Sequence, residues 1–218
     1  LGGSRYAERL PIGDIKTIES FDHEALKRFY RDWYRPDLMA VVAVGDLDPA
    51  AVEKLVRRYF GLWRPPAEPR PRPLYEVPGH AETLFAIAAD KEATGTGLSI
   101  YNKLPVREQT KAADYRRTLV EQIYEAMLNG RFYEISQKPD APFLAASSDL
   151  GPLVRTRDVY VLGASVKEGG IERGLEALAV ESEVLARFGF TPTELDRQKL
   201  EFGRFLERLF AEKDNQES

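Results

Sequence analysis

Cysteine is absent from this 218-residue chain, which removes disulfides, thiolate metal sites and cysteine nucleophiles together. Histidine is nearly absent as well, His23 and His80 being the only two. Glu24 follows His23 as in zinc helices of the H-E-x-x-H type, but Lys27 stands where the second histidine belongs. The inverted H-x-x-E-H type fails at Leu26 and Lys27, and both tests fail again after His80, at Thr83 and Leu84. No G-x-S-x-G elbow, Walker loop or dinucleotide fingerprint is present. The residues therefore nominate no catalytic, metal-binding or cofactor-binding side chain. Neither charge sign dominates: 31 Lys and Arg face 35 Asp and Glu, a net −4 at pH 7 that argues against a nucleic-acid partner. No apolar run approaches the roughly 20 residues of a transmembrane helix. There is no initiating Met and no signal-peptide pattern, and the opening Leu1-Gly2-Gly3-Ser4 reads as the start of an excised piece.

What is present is core-forming material, with 43% hydrophobic and 11% aromatic residues. Leu26, Phe29, Tyr30, Trp33 and Tyr34 recur at helical spacing, predicting a helix from near Ser20 or Asp22 whose aromatic stripe packs in a core. Arg35-Pro36 stops it. Residues 38–44 form a nearly continuous apolar run, the pattern of a buried central strand. Asp48 as N-cap and Pro49 at the first position then open a second helix ending at Gly61.

Residues 64–73 read Arg-Pro-Pro-Ala-Glu-Pro-Arg-Pro-Arg-Pro, a composition suited to an extended connector between domains. Beyond it, residues 83–89 and 97–104 predict a hairpin joined through Asp90-Lys91-Glu92. The glycines of Thr94-Gly95-Thr96-Gly97 predict a bulge or turn entering the second of these strands. A long helix follows from about Lys111, in which Asn129-Gly130 marks an interruption or a close approach by another backbone. Residues 143–148 and 159–166 predict two more strands, and a helix runs from about Ile171. Thr191, Pro192 and Glu194 spell a capping box for the last helix. Strand pairs alternating with long helices give an α+β class, an antiparallel sheet covered by helices on one face.

Taken in order, Ser4-Arg5-Tyr6-Ala7, Arg9-Leu10-Pro11-Ile12-Gly13, Phe29-Tyr30-Arg31-Asp32-Trp33-Tyr34-Arg35-Pro36, and residues 39–44 closed by Gly45-Asp46-Leu47-Asp48 resemble the pitrilysin/insulinase family of zinc metallopeptidases. The later Asn129-Gly130-Arg131-Phe132 and Gly189-Phe190-Thr191-Pro192-Thr193-Glu194-Leu195 resemble segments of that family's second domain. The resemblance implies a clam-shell endopeptidase whose domains enclose a chamber. Its zinc sits on two histidines and a distal glutamate that precede the Ser-Arg-Tyr-Ala stretch, so zinc belongs to the parent and no ligand transfers onto this chain. It also implies three parts: 1–63 as the end of the zinc-bearing domain, 64–78 as linker, and 79–218 as a noncatalytic second domain. Implied partners are a peptide or unfolded-protein substrate and the parent's remaining domains. The alternative within the same family is a noncatalytic scaffold or interaction subunit. Bacterial-looking members point to the periplasm or cell envelope. An apolar run at 38–44 left without neighbours predicts self-association of the chain, docking of the first piece onto the second domain, or a poorly ordered first piece. With two isolated histidines and no cysteine, the purified chain is expected to retain no zinc after dialysis and to cleave no peptide; stoichiometric zinc measured by atomic absorption would contradict this.

Overall fold

A computed structural model of the chain describes residues 1–9 and 11–213, so Leu10 of the second motif and the last five residues of the expected second domain lie outside the described residues. The described residues divide into two units, 5–74 and 75–213 with residues 1–4, the division falling between Leu74 and Tyr75.

In residues 5–74 the helices start where capping chemistry places them. Helices α1 (Arg5–Glu8) and α2 (Ile15–Ser20) are short. Helix α3 (His23–Trp33) begins at Asp22, whose carboxylate accepts the Glu24 N–H at 3.0 Å. Helix α4 (Pro49–Phe60) begins at Asp48 in the same way, with Pro49 at its first position. Two expectations fail here. Residues 38–44 form no strand, with Val42 79% and Val44 76% exposed. The α3 stripe is not core: Leu26, Phe29, Tyr30 and Tyr34 are all exposed. The physical reason is shared, since a strand needs a partner's hydrogen bonds and a stripe needs an opposing layer, and no strand is described within 5–74. The Pro-rich segment forms no helix or strand and is exposed, but it is pinned at Arg70, which reaches Asp32 at 3.1 Å and stacks over Trp33. The buried Arg35 donates to the Arg70 carbonyl at 2.7 Å.

The second unit contains a three-stranded antiparallel sheet in the order β1-β3-β2, built from β1 (Thr96–Leu104), β2 (Ala145–Val154) and β3 (Arg157–Val166). Helix α5 (Ala112–Ser136) lies along β2, and α6 (Ile171–Phe188) lies over β1 and β3. Helix α7 (Pro192–Ala211) packs on α5. Alternation places Leu162, Ala164 and Val166 of β3 on the helix side, where they are buried with Leu128, Phe132, Phe143 and Leu178. Phe132 and Phe143 meet edge to face at 6.0 Å. The opposite face carries Ser99, Tyr101, Ser147, Asp149 and Gly163, and among the described residues of this unit no helix packs against it. The α+β class therefore holds, with helices on one face of an antiparallel sheet.

The expected hairpin partner of β1 does not form. Residues 83–89 carry no ladder, and Phe85 and Ile87 are 85% and 95% exposed. The connection 90–95 is six residues long and turns on itself through Ala93 N–H to Asp90 O, which exceeds the two to five residues typical of hairpin loops.

Glycine matters at one helix crossing. A Cβ on Gly174 of α6 would stand 2.6 Å from Val166 Cγ1 and 3.0 Å from Leu98 Cδ2, whereas one on Gly130 would meet nothing within 4 Å. Gly130 thus neither interrupts α5 nor admits another backbone. Gly174→Ala should lower stability, because overpacking of about 1–3 kcal/mol outweighs a helix-propensity gain of about 1 kcal/mol. Gly130→Ala should raise it by roughly 0.5–1 kcal/mol. Urea unfolding of the two variants checks both signs.

Candidate functional site

The two late motifs, 63 residues apart, meet through one side chain. Arg131 projects from α5 and grips Glu194 with two nitrogens, Nε to Oε1 and Nη2 to Oε2 at 2.9 Å. Its Nη1 reaches Glu181 of α6 at 2.8 Å and Nη2 the Gly189 carbonyl at 3.2 Å. The guanidinium also lies 5.0 Å over the Phe190 ring. Glu194 is at the same time the third residue of the α7 capping box: Oε2 accepts the Thr191 N–H at 2.7 Å and its hydroxyl at 2.8 Å. Arg131 is 17% and Glu194 18% exposed at the side chain. The Arg131 hydrogen bonds hold the Glu194 carboxyl down at about 2, against an ordinary 4.5, and burial only partly opposes them.

This cluster ties three helices together and leaves no base or nucleophile free. The shallow groove around it is lined by Arg131, Lys138 and Arg197 against Glu134, Glu181 and Glu194, so its charges cancel and it selects neither anion nor cation.

A second polar cluster lies where α5 meets β2. Asn129 donates to the Ser148 carbonyl at 3.1 Å and accepts the Ser148 N–H at 2.6 Å. A close approach by another backbone therefore exists at Asn129, made by strand β2. One turn earlier, the Glu125 carboxyl is pushed up by burial first and by Asp149 second, with the Leu150 N–H and Arg107 opposing. Arg107 is engaged elsewhere, at 2.6 Å to Glu121 and 2.9 Å to Asp158. Burial, and then the Tyr124 hydroxyl, push the Tyr160 phenol up.

The histidines do not enter either cluster. His23 is the exposed first residue of α3, edge-on to Phe21 at 6.0 Å. His80 is exposed and its Nδ1 donates to the Glu82 carbonyl at 2.7 Å. Among the described residues no three His, Asp or Glu side chains converge as metal ligands, so they do not fit a zinc ion and no chemical step is routed through one. No helix among them is long and apolar enough to cross a membrane. Sequence reasoning quoted Arg131 and Glu194 only as parts of motifs, and it missed Glu125 and Ser148. The polar line Glu121, Glu125, Asn129 at intervals of four, beside buried Leu128 and Phe132, was the available signal.

A family model described as the peptidase M16 inactive domain matches residues 20–202. The chain is 39% identical over 194 residues to a zinc protease PQQL-like protein of Arabidopsis thaliana, covering 88% of this chain and 20% of that protein. It therefore spans about a fifth of that relative's length. The solved first half of the periplasmic protease PqqL from Escherichia coli superposes with a TM-score of 0.84 at 20% identity, over 100% of this chain and 46% of that one. A mutant of the ferredoxin protease FusC in complex with Arabidopsis ferredoxin gives 0.76 at 22% identity, over 95% and 23%. At these identities the two structures establish the fold alone.

The Arg131 cluster sets a stability prediction. Arg131→Ala leaves two carboxylates without their cation and should cost about 2–3 kcal/mol at pH 7. The Glu194 midpoint lies below its ordinary value, so its stabilisation is complete above about pH 4.5 and is lost as pH falls toward about 2. Urea unfolding should show the variant and the unsubstituted chain converging over that window; an unchanged gap at pH 2 would refute the assignment.

Proposed function

Because this chain belongs to the peptidase M16 inactive-domain family, of the pitrilysin/insulinase kind, we propose that it is the noncatalytic portion of a zinc-dependent endopeptidase, shaping the chamber and holding substrate. The observation that carries the reading is the match across residues 20–202 to a domain described as inactive. Its structural counterpart is a sheet with the described helices of its own unit on one face, leaving small and polar residues such as Ser99, Ser147 and Gly163 on the other as a wall. Hydrolysis and zinc belong, on this reading, to residues of the longer parent outside this chain, consistent with the zinc-protease name of the Arabidopsis relative.

The parts follow from the same reading: 1–63 closes the zinc-bearing domain, 64–78 links, and 79–218 is the second domain. The exposed stripe of α3 and the unpaired residues 39–44 are covered in the parent by the rest of the zinc-bearing domain; alone, the chain self-associates through them. A periplasmic or envelope location is proposed by analogy with the Escherichia coli protein, whose description calls it periplasmic. Substrates are peptides or unfolded chains.

The test uses the full parent protein. It should bind one zinc per chain and cleave an unstructured peptide in a chelator-sensitive way. Deleting residues 75–213 should keep the zinc and abolish cleavage. Cleavage surviving the deletion overturns the substrate-holding role, and a parent with neither zinc nor cleavage establishes the scaffold subunit instead.

A further inference from the structure

Strand β2 is the outer strand of its sheet, and an outer strand presents a row of backbone donors and acceptors on its free side. In an antiparallel ladder the residues that point both groups outward alternate. Ser148 is one of them, because Asn129 holds both its N–H and its carbonyl. Leu150 and Pro152 are the next two on that side. Pro152 has no N–H to leave unpaired, which suits an outward position. The Leu150 N–H faces Glu125. Four residues of helix rise about 6 Å and two residues of strand about 6.8 Å, so Glu125 and Asn129 match Leu150 and Ser148 as successive rungs. Helix α5 thus occupies the outer edge of β2 in place of another strand.

One rung is incomplete. Glu125 Oε1 is buried and has no hydrogen-bond partner. Glu121 on α5 and Asp149 on β2 bring further negative charge to Glu125, with Tyr160 of β3 and Tyr124 of α5 beside it. Arg107 is the cation that faces it, and its guanidinium is shared between Glu121 and Asp158; Arg117 serves Asp114 and Glu121. An ionised Glu125 therefore buries an unpartnered acceptor oxygen close to two further carboxylates. A proton on Oε1 removes one charge from this group and turns an orphan acceptor into a donor.

We propose that Glu125 is a proton-operated latch between α5 and the outer edge of β2, closed when its carboxyl group carries the proton and loosened when it ionises. The proton comes from solvent and returns to it. Burial and the neighbouring carboxylates raise the carboxyl's midpoint in the closed state, so the closed seam holds its proton to higher pH than the open one. The latch stands on the rung geometry and does not depend on the reading of the parent as a peptidase.

Residue-resolved amide exchange on the full chain between pH 4 and 7 tests it. After correction for intrinsic rates, protection at Ser148 and Leu150 should fall by up to about tenfold per pH unit from about pH 4.3 to the Glu125 midpoint and then level off. Protection at Leu162 in β3 should stay constant. In Glu125→Gln, which keeps the acceptor and supplies a permanent donor, the profile should be flat. A flat profile in the unsubstituted chain, or an equal fall in both, overturns the proposal. Should the Gln variant fail to fold, the carboxyl carbon of Glu125 in the unsubstituted chain is titrated directly by NMR, and a midpoint at or below about 4.3 overturns it as well.

Discussion

Little more than one turn of α5, from Leu128 to Phe132, carries most of what organises the second unit. Successive helical residues point about 100° apart, so neighbours in sequence face different neighbours in space. Leu128 and Phe132, four apart, enter the core beneath β3. Asn129 turns to the edge of β2, and Arg131 turns away from the sheet to α6 and the start of α7. The apolar pair fixes how deep the helix sits, and the two polar residues fix its rotation and its place along the strand. Losing depth would cost several kcal/mol through the cavity left behind, and the polar contacts are worth less each but admit one geometry only.

Two glutamates close to this segment show how the local supply of donors decides a carboxylate's behaviour. Glu194 meets a guanidinium, an N–H and a hydroxyl, and stays charged far into acid. Glu125 meets mainly other carboxylates and the interior, and holds its proton more tightly than usual. Burial acts on both in the same direction. The sign of the outcome is set by how many hydrogens are aimed at the oxygens.

The helices were legible in the sequence because their signals are local. Asp22, Asp48 and Thr191 cap the helices they announce. Strands 145–154 and 157–166 were legible in part: residues 143–148 and 159–166 marked them, while residues 149–154, with Gly151 and Pro152 among them, and the polar pair Arg157-Asp158 did not. Residues 38–44 and 83–89 have the composition of strands and form none, since composition records a preference for burial and pairing needs a second segment. The α3 stripe misled for the same reason. Glu194 was visible as a cap, but its bond to Arg131 spans 63 residues, and the missing partner of one Glu125 oxygen exists only once α5 and β2 are packed.

The crossing of α6 over the sheet has a consequence for how this domain can change over time. Gly174, Val166 and Leu98 share one small volume, each from a different element. A side chain at 174 can enter only as a methyl group is surrendered at 166 or 98, because interiors at crystalline density offer no slack. The three positions therefore drift as a set: a lineage that trims the valine or leucine first opens the way for alanine on the helix, and the reverse order passes through an overpacked intermediate.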